Sequence, residues 1–250
     1  MEIERGAMAD GQTLRDAIVV IAGDSAEAAG LRAALHACGA IPVDAFDGAM
    51  KTAELAGLGV GADAIAVVCA CHPFDARGPD AARALAHRLG AAHLALRRPL
   101  WRPGPGDHWL RARNGVHAAR LMPHHWRRVF LAVGRDRIAP FAAAGDRRWF
   151  VRAQAPTRGL APERLLRHAS LLDDPGPYAP AAEARLFRRL GVDVLIARNT
   201  GGDGARPKIL GARLLGLPVV LIEPPLAAPP GSHRDIASVM AALHRLAAAR

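Results

Sequence analysis

The sequence has almost no lysine, few aromatic residues and no continuous basic run. Only Lys51 and Lys208 are lysines among its 33 basic residues, so arginine carries nearly all of the formal net charge of +10. Aromatic residues make up 4% of the 250 positions, whereas nucleic-acid-binding proteins combine clustered basic residues with aromatic stacking platforms. We therefore expect no nucleic-acid partner. The charge reflects either a compositional bias or a small polyanionic ligand, which the arginine fork suits well.

Cysteines and long apolar runs are also scarce. Cys38, Cys69 and Cys71 are too few for a disulfide framework and lack the second ligand pair of a structural zinc site. The apolar run at 17–22 has the length of a strand and is far short of a membrane span. Residues 1–15 lack the apolar core of a signal peptide, and we expect a flexible N-terminal extension there. These features favour a cytoplasmic protein with no metal and no membrane partner.

What is present is a regular alternation of strand and helix patterns, with 51% apolar residues to form the core. Strands are predicted at 17–22, 41–46, 63–69, 93–96, 128–133, 149–152, 192–197 and 218–222. Helices are predicted at 26–38, 51–58, 75–89, 181–190, 205–215 and 233–249, the last with Ser232 as its N-cap. Such a series builds parallel sheets with right-handed crossovers.

The clearest interruption lies at residues 98–114, which are rich in proline and glycine. We therefore predict an α/β protein of two Rossmann-like parallel-sheet domains, at 16–113 and 114–250, with a cleft between them. In open α/β sheets, ligands bind outside the carboxyl ends of the strands. The candidate functional residues are thus those that follow the strands.

Two segments of the first half are candidates. Gly23, Asp24 and Ser25 follow the first strand, where a glycine turn before a helix can present N–H groups to an anion. The alternative is an ordinary turn in which Asp24 or Ser25 caps the helix. His72 follows the third strand, and Pro73 favours an extended His72 that could face a ligand. A structural histidine is the alternative for His72.

Two segments of the second half are also candidates. Gly134, Arg135, Asp136 and Arg137 follow a strand and form either an acidic-ligand site, for example for a ribose 2′-phosphate, or an exposed turn. Residues 198–202 follow a later strand and contain two adjacent glycines, which allow close approach of the backbone to a phosphate. Lys208 lies shortly afterwards, but the spacing is not that of a Walker A loop.

In order and spacing these motifs resemble the precorrin-6A reductase family of cobalamin biosynthesis. The resemblance extends from about residue 17 to residue 225. It includes Gly23 to Glu27, His72-Pro73-Phe74, Leu96-Arg97-x-Pro99-x-Trp101, Gly134-Arg135, Tyr178 with Glu183, and Asn199-x-Gly201-Gly202 through Lys208. It departs at Cys71, where the family usually has threonine.

The resemblance implies NADPH-dependent reduction of precorrin-6A to precorrin-6B, with a hydride added at C19 and a proton at C18 of the macrocycle. The alternatives are a cobalt-precorrin-6A reductase and a catalytically weakened relative that binds tetrapyrrole and NADP. The expected assembly is a monomer or a weak homodimer.

The resemblance also assigns residues by position. Cofactor binding is expected at Arg135, Arg198, Asn199, Thr200, Gly201, Gly202 and Lys208. Binding of precorrin-6A is expected at Gly23, Ser25, Glu27, His72 and Arg97. His72 is in addition the candidate catalytic proton source, because an imidazole titrates near neutral pH.

Overall fold

A computed structural model describes residues 13–45, 60, 63–153, 162–173 and 178–250. It divides into two compact units. The first comprises the described residues up to Pro99 together with Leu226–Arg250, and the second comprises Leu100–Pro225. None of the helices in the described part of the chain is long and apolar enough to cross a membrane.

The described elements, in chain order, are as follows. The strands are β1 (Ile18–Ala22), β2 (Ile41–Ala45), β3 (Ala64–Cys69), β4 (Ala92–Ala95), β5 (His108–Ala112), β6 (Arg128–Ala132), β7 (Arg148–Ala153), β8 (Ala169–Asp173), β9 (Val194–Arg198) and β10 (Pro218–Ile222). The helices are α1 (Ala26–Ala37), α2 (Gly78–Leu89), α3 (Gly115–Arg120), α4 (Pro162–Leu165), α5 (Pro180–Leu190), α6 (Pro207–Leu214) and α7 (Ile236–Ala248). Two short 3-10 helices, Arg135–Arg137 and Ala139–Phe141, follow β6.

The first unit is a parallel four-stranded sheet in the order β2-β1-β3-β4. Leu31 and Leu35 of α1 and Val239 and Leu243 of α7 belong to the cluster on one face, whereas α2 packs with the cluster on the other. All six residues of β3 are consequently buried, which explains its continuous apolar sequence.

The second unit is a parallel six-stranded sheet in the order β5-β10-β9-β6-β7-β8. A core cluster of this unit joins the sheet to α5 and α6, with Phe187 of α5 packed edge-on against Phe130 of β6 at 4.8 Å between ring centroids. The predicted fold class, two α/β domains with parallel sheets, is confirmed.

The predicted domain boundary differs from the structure at both ends of the second domain. β5 lies in the segment predicted as an interruption and is an edge strand of the second sheet, with a mostly exposed sequence that hides its strand character. α7, predicted in the second domain, belongs to the first unit because its apolar face covers the first sheet. The chain therefore passes between the units near residues 99–100 and 225–226 rather than near residue 113.

Several smaller predictions also differ. The N-cap of α7 is Asp235, which accepts a hydrogen bond from Ser238 N at 2.8 Å, whereas the predicted cap, Ser232, donates to Pro229 O. Leu14, predicted in the flexible extension, is fully buried in the first core. The strand β8 and the helix α3 were not predicted, because the apolar patterns that would mark them are short. Residues 1–12 and the predicted helix at 51–58 lie outside the described residues.

Candidate functional site

Each sheet has one position where the strand order reverses, and there the loops at the carboxyl ends diverge to leave a crevice. In the first unit this position lies between β1 and β3, because the chain continues from β1 to β2 on one side and from β3 to β4 on the other. In the second unit it lies between β6 and β9. The four candidate segments follow these four strands, so in the structure they lie at the two positions that favour ligand binding.

The turn after β1 is locked to the end of β3. Gly23 has a φ of +116°, and a Cβ there would lie 2.7 Å from Ala70 O. Ser25 is the N-cap of α1, accepts a hydrogen bond from Ala28 N at 3.2 Å and donates one to Ala70 O at 2.6 Å. The hydroxyl of Ser25 therefore holds the turn in place, which is the capping alternative, and its contact with a substrate stays a prediction.

Glu27 belongs to an ion pair in the same unit. Both of its carboxylate oxygens accept from Nη1 of Arg98, at 2.8 and 2.9 Å, and the two side chains are 23% and 17% exposed. Partial burial makes such a pair firmer than one on the open surface. The carboxylate of Glu27 thus fixes Arg98 beside α1.

His72 and Arg97 are brought together through Cys71. The Nη1 of Arg97 lies 3.5 Å from Cys71 O, and the Arg97 N–H donates to His233 O. The Nε of Arg97 is buried and has no hydrogen-bond partner within the described residues. That His72 and Arg97 act on one ligand stays a prediction.

The ring orientation of His72 is set by its own loop. Phe74 N donates to Nδ1 of His72 at 3.1 Å, so Nδ1 acts as an acceptor and the neutral ring carries its proton on Nε2. An imidazolium would place two donors, Nδ1–H and Phe74 N–H, against each other. Charging the ring therefore requires loss of this hydrogen bond.

Asn199, in the loop after β9, is 1% exposed and anchors the segment that enters the second unit. Its Oδ1 accepts from Trp101 N at 2.9 Å, and its Nδ2 donates to Trp101 O at 3.2 Å and to Glu223 Oε2 at 3.1 Å. Both amide hydrogens are thus used within the protein. The prediction that Asn199 itself contacts the cofactor finds no support in this geometry, and its structural role is to fix the loop.

Replacing Asn199 by Ala is expected to leave the buried N–H and carbonyl of Trp101 unpaired. The free energy of unfolding should fall by about 3 kcal/mol, since each buried unsatisfied group costs about 1–3 kcal/mol. Denaturant unfolding measures it. The matched control is Asn114→Ala, which removes the exposed N-cap of α3 and should cost only about 1 kcal/mol. Equal losses in the two variants would contradict the anchoring role.

Trp101 is a site residue to which the sequence prediction gave no role. It is 7% exposed, its Nε1 donates to Gly202 O at 2.7 Å, and its ring lies 5.8 Å from Nζ of Lys208. A tryptophan within a proline- and glycine-rich segment was the available signal. Trp101 therefore connects Asn199 to the glycine turn, which is formed by Gly201 and Gly202.

The glycine turn leaves its backbone donors available. Gly201 and Gly202 have φ values of +64° and +67°, which explains why glycine occupies both positions. Across the part of the chain that the structure describes, neither N–H donates to a backbone carbonyl. The neighbouring hydroxyl of Thr200 lies 3.5 Å from Gly201 O, and Thr200 is 9% exposed. Such a turn suits a phosphate group.

Several cations lie around this turn. The guanidinium of Arg198, at the end of β9, lies beside Gly134, since a Cβ at Gly134 would be 3.9 Å from its Nη2. Burial, followed by the charge of Arg137, lowers the pKa of Arg198. Burial also lowers the pKa of Lys208 to about 8, and the nearby charges of Arg152 and Arg198 contribute while Glu183 opposes. Lys208 Nζ donates to Ala205 O at 2.7 Å.

One buried ion pair supports this cationic group. Nη1 of Arg152 donates to both carboxylate oxygens of Glu183 at 2.8 Å, and the two side chains are 7% and 3% exposed. Glu183 thus balances the charge of Arg152, and the carboxylate of Asp136 acts on Arg198. With Lys208 and Arg137 included, these six side chains carry two more positive than negative charges. A buried excess of positive charge favours an anionic ligand.

The segment after β6 supplies the remaining candidate. Gly134 precedes the 3-10 helix Arg135–Arg137, and Asp136 lies 3.4 Å from Arg137 in an exposed ion pair. The side chain of Arg135 lies outside the described residues, so its phosphate contact stays a prediction. Among the described residues there is no group of three His, Cys, Asp or Glu side chains that could hold a metal ion.

Two parallel α/β units with anion-binding features at a topological switch point define the class of Rossmann-like ligand-binding proteins. Residues 15–246 match the protein-family model described as Precorrin-6x reductase CbiJ/CobK. The chain therefore belongs to the precorrin-6x reductase family, and it is an oxidoreductase.

Individual relatives agree with this membership. The chain is 38% identical over 177 residues to the Precorrin-6A reductase of Rhodococcus erythropolis, a match covering 70% of each protein. It is 39% identical over 157 residues to that of Sinorhizobium sp, covering 63% of this chain and 59% of the relative, which is less than two thirds of that relative's length. The solved structure described as CobK precorrin-6A reductase aligns with a TM-score of 0.79 at 27% identity, covering 92% of this chain and 97% of that one.

Proposed function

We propose that this protein catalyses the NADPH-dependent reduction of precorrin-6A to precorrin-6B in cobalamin biosynthesis. In the proposed reaction a hydride is added at C19 and a proton at C18 of the macrocycle. Family membership supports the reaction class, and its named relatives are precorrin-6A reductases. The observation that carries the cofactor assignment is the turn at Gly201 and Gly202, whose N–H groups donate to no backbone carbonyl among the described residues and which lies near the cations Lys208 and Arg198.

The described residues fit a nicotinamide dinucleotide phosphate at the switch point of the second unit. Gly201 and Gly202 would donate N–H groups to its phosphates, and Lys208 and Arg198 would neutralise their charge. Thr200 lies beside them, and Asn199 acts through its hold on Trp101. When bound, the cofactor supplies the hydride.

The first unit supplies the proposed macrocycle side. Arg97 has a cationic side chain whose buried Nε lacks a hydrogen-bond partner among the described residues, which suits a carboxylate of the macrocycle. Gly23, Ser25 and Glu27 shape the neighbouring turn and hold it against the end of β3. Precorrin-6A carries several carboxylates, so arginine side chains are the appropriate partners.

His72 is the proposed proton source for C18. Because Phe74 N–H occupies Nδ1, the transferable proton lies on Nε2. Delivery from an imidazolium would require the ring to release Phe74 N–H first, so substrate binding and ring protonation are expected to be linked.

Binding of NADPH should raise the melting temperature more than binding of NADH does. A ligand at about 100 times its Kd adds about 2.7 kcal/mol to the free energy of unfolding, so a shift of several degrees is expected. Differential scanning fluorimetry with each nucleotide measures it. No shift at millimolar NADPH would contradict the cofactor assignment.

Arg135→Ala should reduce the preference for NADPH over NADH at least about 10-fold, since a charged hydrogen bond to the 2′-phosphate contributes about 1.5–3 kcal/mol. The matched control is Arg137→Ala, which removes the same charge from the same short helix. An unchanged preference in Arg135→Ala, or a larger loss in the control, would overturn the assignment of Arg135.

A further inference from the structure

Two of the three cysteines lie side by side at the base of the His72 loop. Cys69 is the last residue of β3, and Cys71 follows after one residue. Residues two apart in extended chain point to the same side, and here the two sulfur atoms are 3.1 Å apart. Cys69 and Cys71 are 1% and 5% exposed, and both are free thiols. This juxtaposition has no part in the proposed reduction.

The surroundings of the pair favour one thiolate. The hydrogen bond shared with Cys71, aided by the charge of Arg97 and opposed by burial and by Asp75, lowers the pKa of Cys69 to about 7. The same hydrogen bond, burial and the charge of Asp75 raise the pKa of Cys71. In the neutral pair the thiol of Cys69 donates to Cys71 Sγ, and the thiol of Cys71 donates to Ala22 O at 3.4 Å. A thiolate beside a protonated thiol is the arrangement required for disulfide formation.

Gly78, the first residue of α2, brings a helix N-terminus to the same place. A Cβ at Gly78 would lie 2.7 Å from Cys71 Sγ, so only glycine permits this approach. The positive end of a helix stabilises negative charge on a nearby sulfur, but the carboxylate of Asp75 accepts from the N–H groups of Arg77 and Gly78 and offsets this effect. The close approach of the two sulfur atoms is therefore the feature that favours disulfide formation.

We propose that Cys69 and Cys71 are a redox-sensitive dithiol that closes to an intramolecular disulfide in the presence of hydrogen peroxide and thereby restrains the residue before His72. The thiolate of Cys69 attacks one peroxide oxygen, breaks the O–O bond and forms a sulfenic acid, and the hydroxide released takes up a proton to give water. The sulfur of Cys71 then attacks the sulfenic sulfur, forms the S–S bond and loses its proton as a second water leaves. The two thiols are oxidised by two electrons, and the peroxide is reduced to water.

Closure of this ring acts on contacts that position the His72 loop. Ala70 lies between the two cysteines. Its carbonyl accepts a hydrogen bond from the hydroxyl of Ser25 and packs against Gly23. The carbonyl of Cys71 accepts from Arg97. A disulfide fixes the chain between residues 69 and 71 and removes the thiol that faces Ala22 O. It should therefore shift His72, and a loss of reductase activity on oxidation rests on the proposed function.

The disulfide itself is tested by mass spectrometry. The protein is treated with a small excess of hydrogen peroxide, unfolded with N-ethylmaleimide and digested with trypsin. Cys69 and Cys71 fall in one tryptic peptide, 52–77, and Cys38 falls in another, 33–51. The peptide 52–77 should lose two hydrogens and resist alkylation until dithiothreitol is added. Cys38→Ser should behave in the same way, whereas Cys71→Thr should not close. Full alkylation of the peptide 52–77 after peroxide would overturn the proposal.

The effect on the loop is tested without any activity measurement. In protein labelled with ¹⁵N-histidine, the His72 signal is assigned by its absence from His72→Ala. We expect this signal to move on oxidation and to return with dithiothreitol. In Cys71→Thr, treatment with peroxide should leave the position of the signal unchanged. A disulfide that forms without moving the His72 signal would overturn the coupling. If the protein showed no reductase activity, the proposed function would be wrong. Mass spectrometry and the NMR signal of His72 would still test the disulfide and its effect on the loop.

Discussion

Replacing Lys208 by methionine is expected to weaken NADPH binding about 10- to 100-fold, since a hydrogen bond to a charged group contributes about 1.5–3 kcal/mol. Methionine keeps an unbranched side chain and removes the ammonium group, which lies 5.8 Å from the centre of the Trp101 ring. Fluorescence titration of NADPH measures the change.

The charge-matched control for Lys208 is Arg206→Met, directly before α6. Arg206 is half exposed and lies 3.8 Å from Asp203, so water screens its charge. We expect at most a few-fold effect on NADPH affinity. A similar loss in both variants would show that the general field, rather than Lys208, holds the cofactor.

The pH dependence of binding follows from the lowered pKa of Lys208. Below about pH 8 the amine is charged and attracts phosphate, so NADPH affinity should fall as the pH rises through about 8. The stability contribution has the opposite sign. Because the folded pKa lies below the unfolded value, the unfolded chain holds more protons in this range, and the free energy of unfolding gains from this group as the pH rises from about 8 to about 10.5. A loss of NADPH affinity with rising pH, without a loss of stability, therefore identifies titration of Lys208. This pH dependence of the affinity should be absent from Lys208→Met.

Replacing His72 by alanine is expected to lower kcat about 10²- to 10⁴-fold, the usual contribution of a positioned proton donor. The dissociation constant of NADPH should change less than about twofold, because His72 lies in the first unit and its mutation removes no proposed cofactor contact. Steady-state kinetics and NADPH titration measure the two effects separately. The exposed His36, at the end of α1, provides the control His36→Ala.

His72→Asn separates proton delivery from loop positioning. Its side-chain oxygen can accept the N–H of Phe74 in place of Nδ1, but an amide cannot deliver a proton at neutral pH. We expect this variant to restore the stability of the loop without restoring kcat. Recovery of kcat in His72→Asn would give His72 a positioning role only, and an equal loss of NADPH affinity would assign it to the cofactor side.

The sequence was sufficient to predict the sheets and the segments at their carboxyl ends. β3 is apolar at every position because helices cover both of its faces, and this continuous run is readable directly. The turns at Gly23 and Gly201 were predicted from glycines that follow strands, and both have the positive φ angles that glycine favours.

Long-range contacts could not be read in the same way. Asn199 was expected to contact a ligand, yet its partner is the backbone of Trp101, which is 98 positions away and carries no pattern that specifies this contact. The final helix was assigned to the wrong unit because an amphipathic face does not identify the sheet that it covers. The edge strand β5 lacks the buried alternation that would reveal it.

A crystal structure with NADPH bound would locate the phosphates of the cofactor. We predict that they lie within hydrogen-bonding distance of the N–H groups of Gly201 and Gly202, with the ammonium of Lys208 beside them. Phosphates bound instead at the turn of Gly23 and Ser25, at the switch point of the first sheet, would contradict the assignment of the cofactor to the second unit.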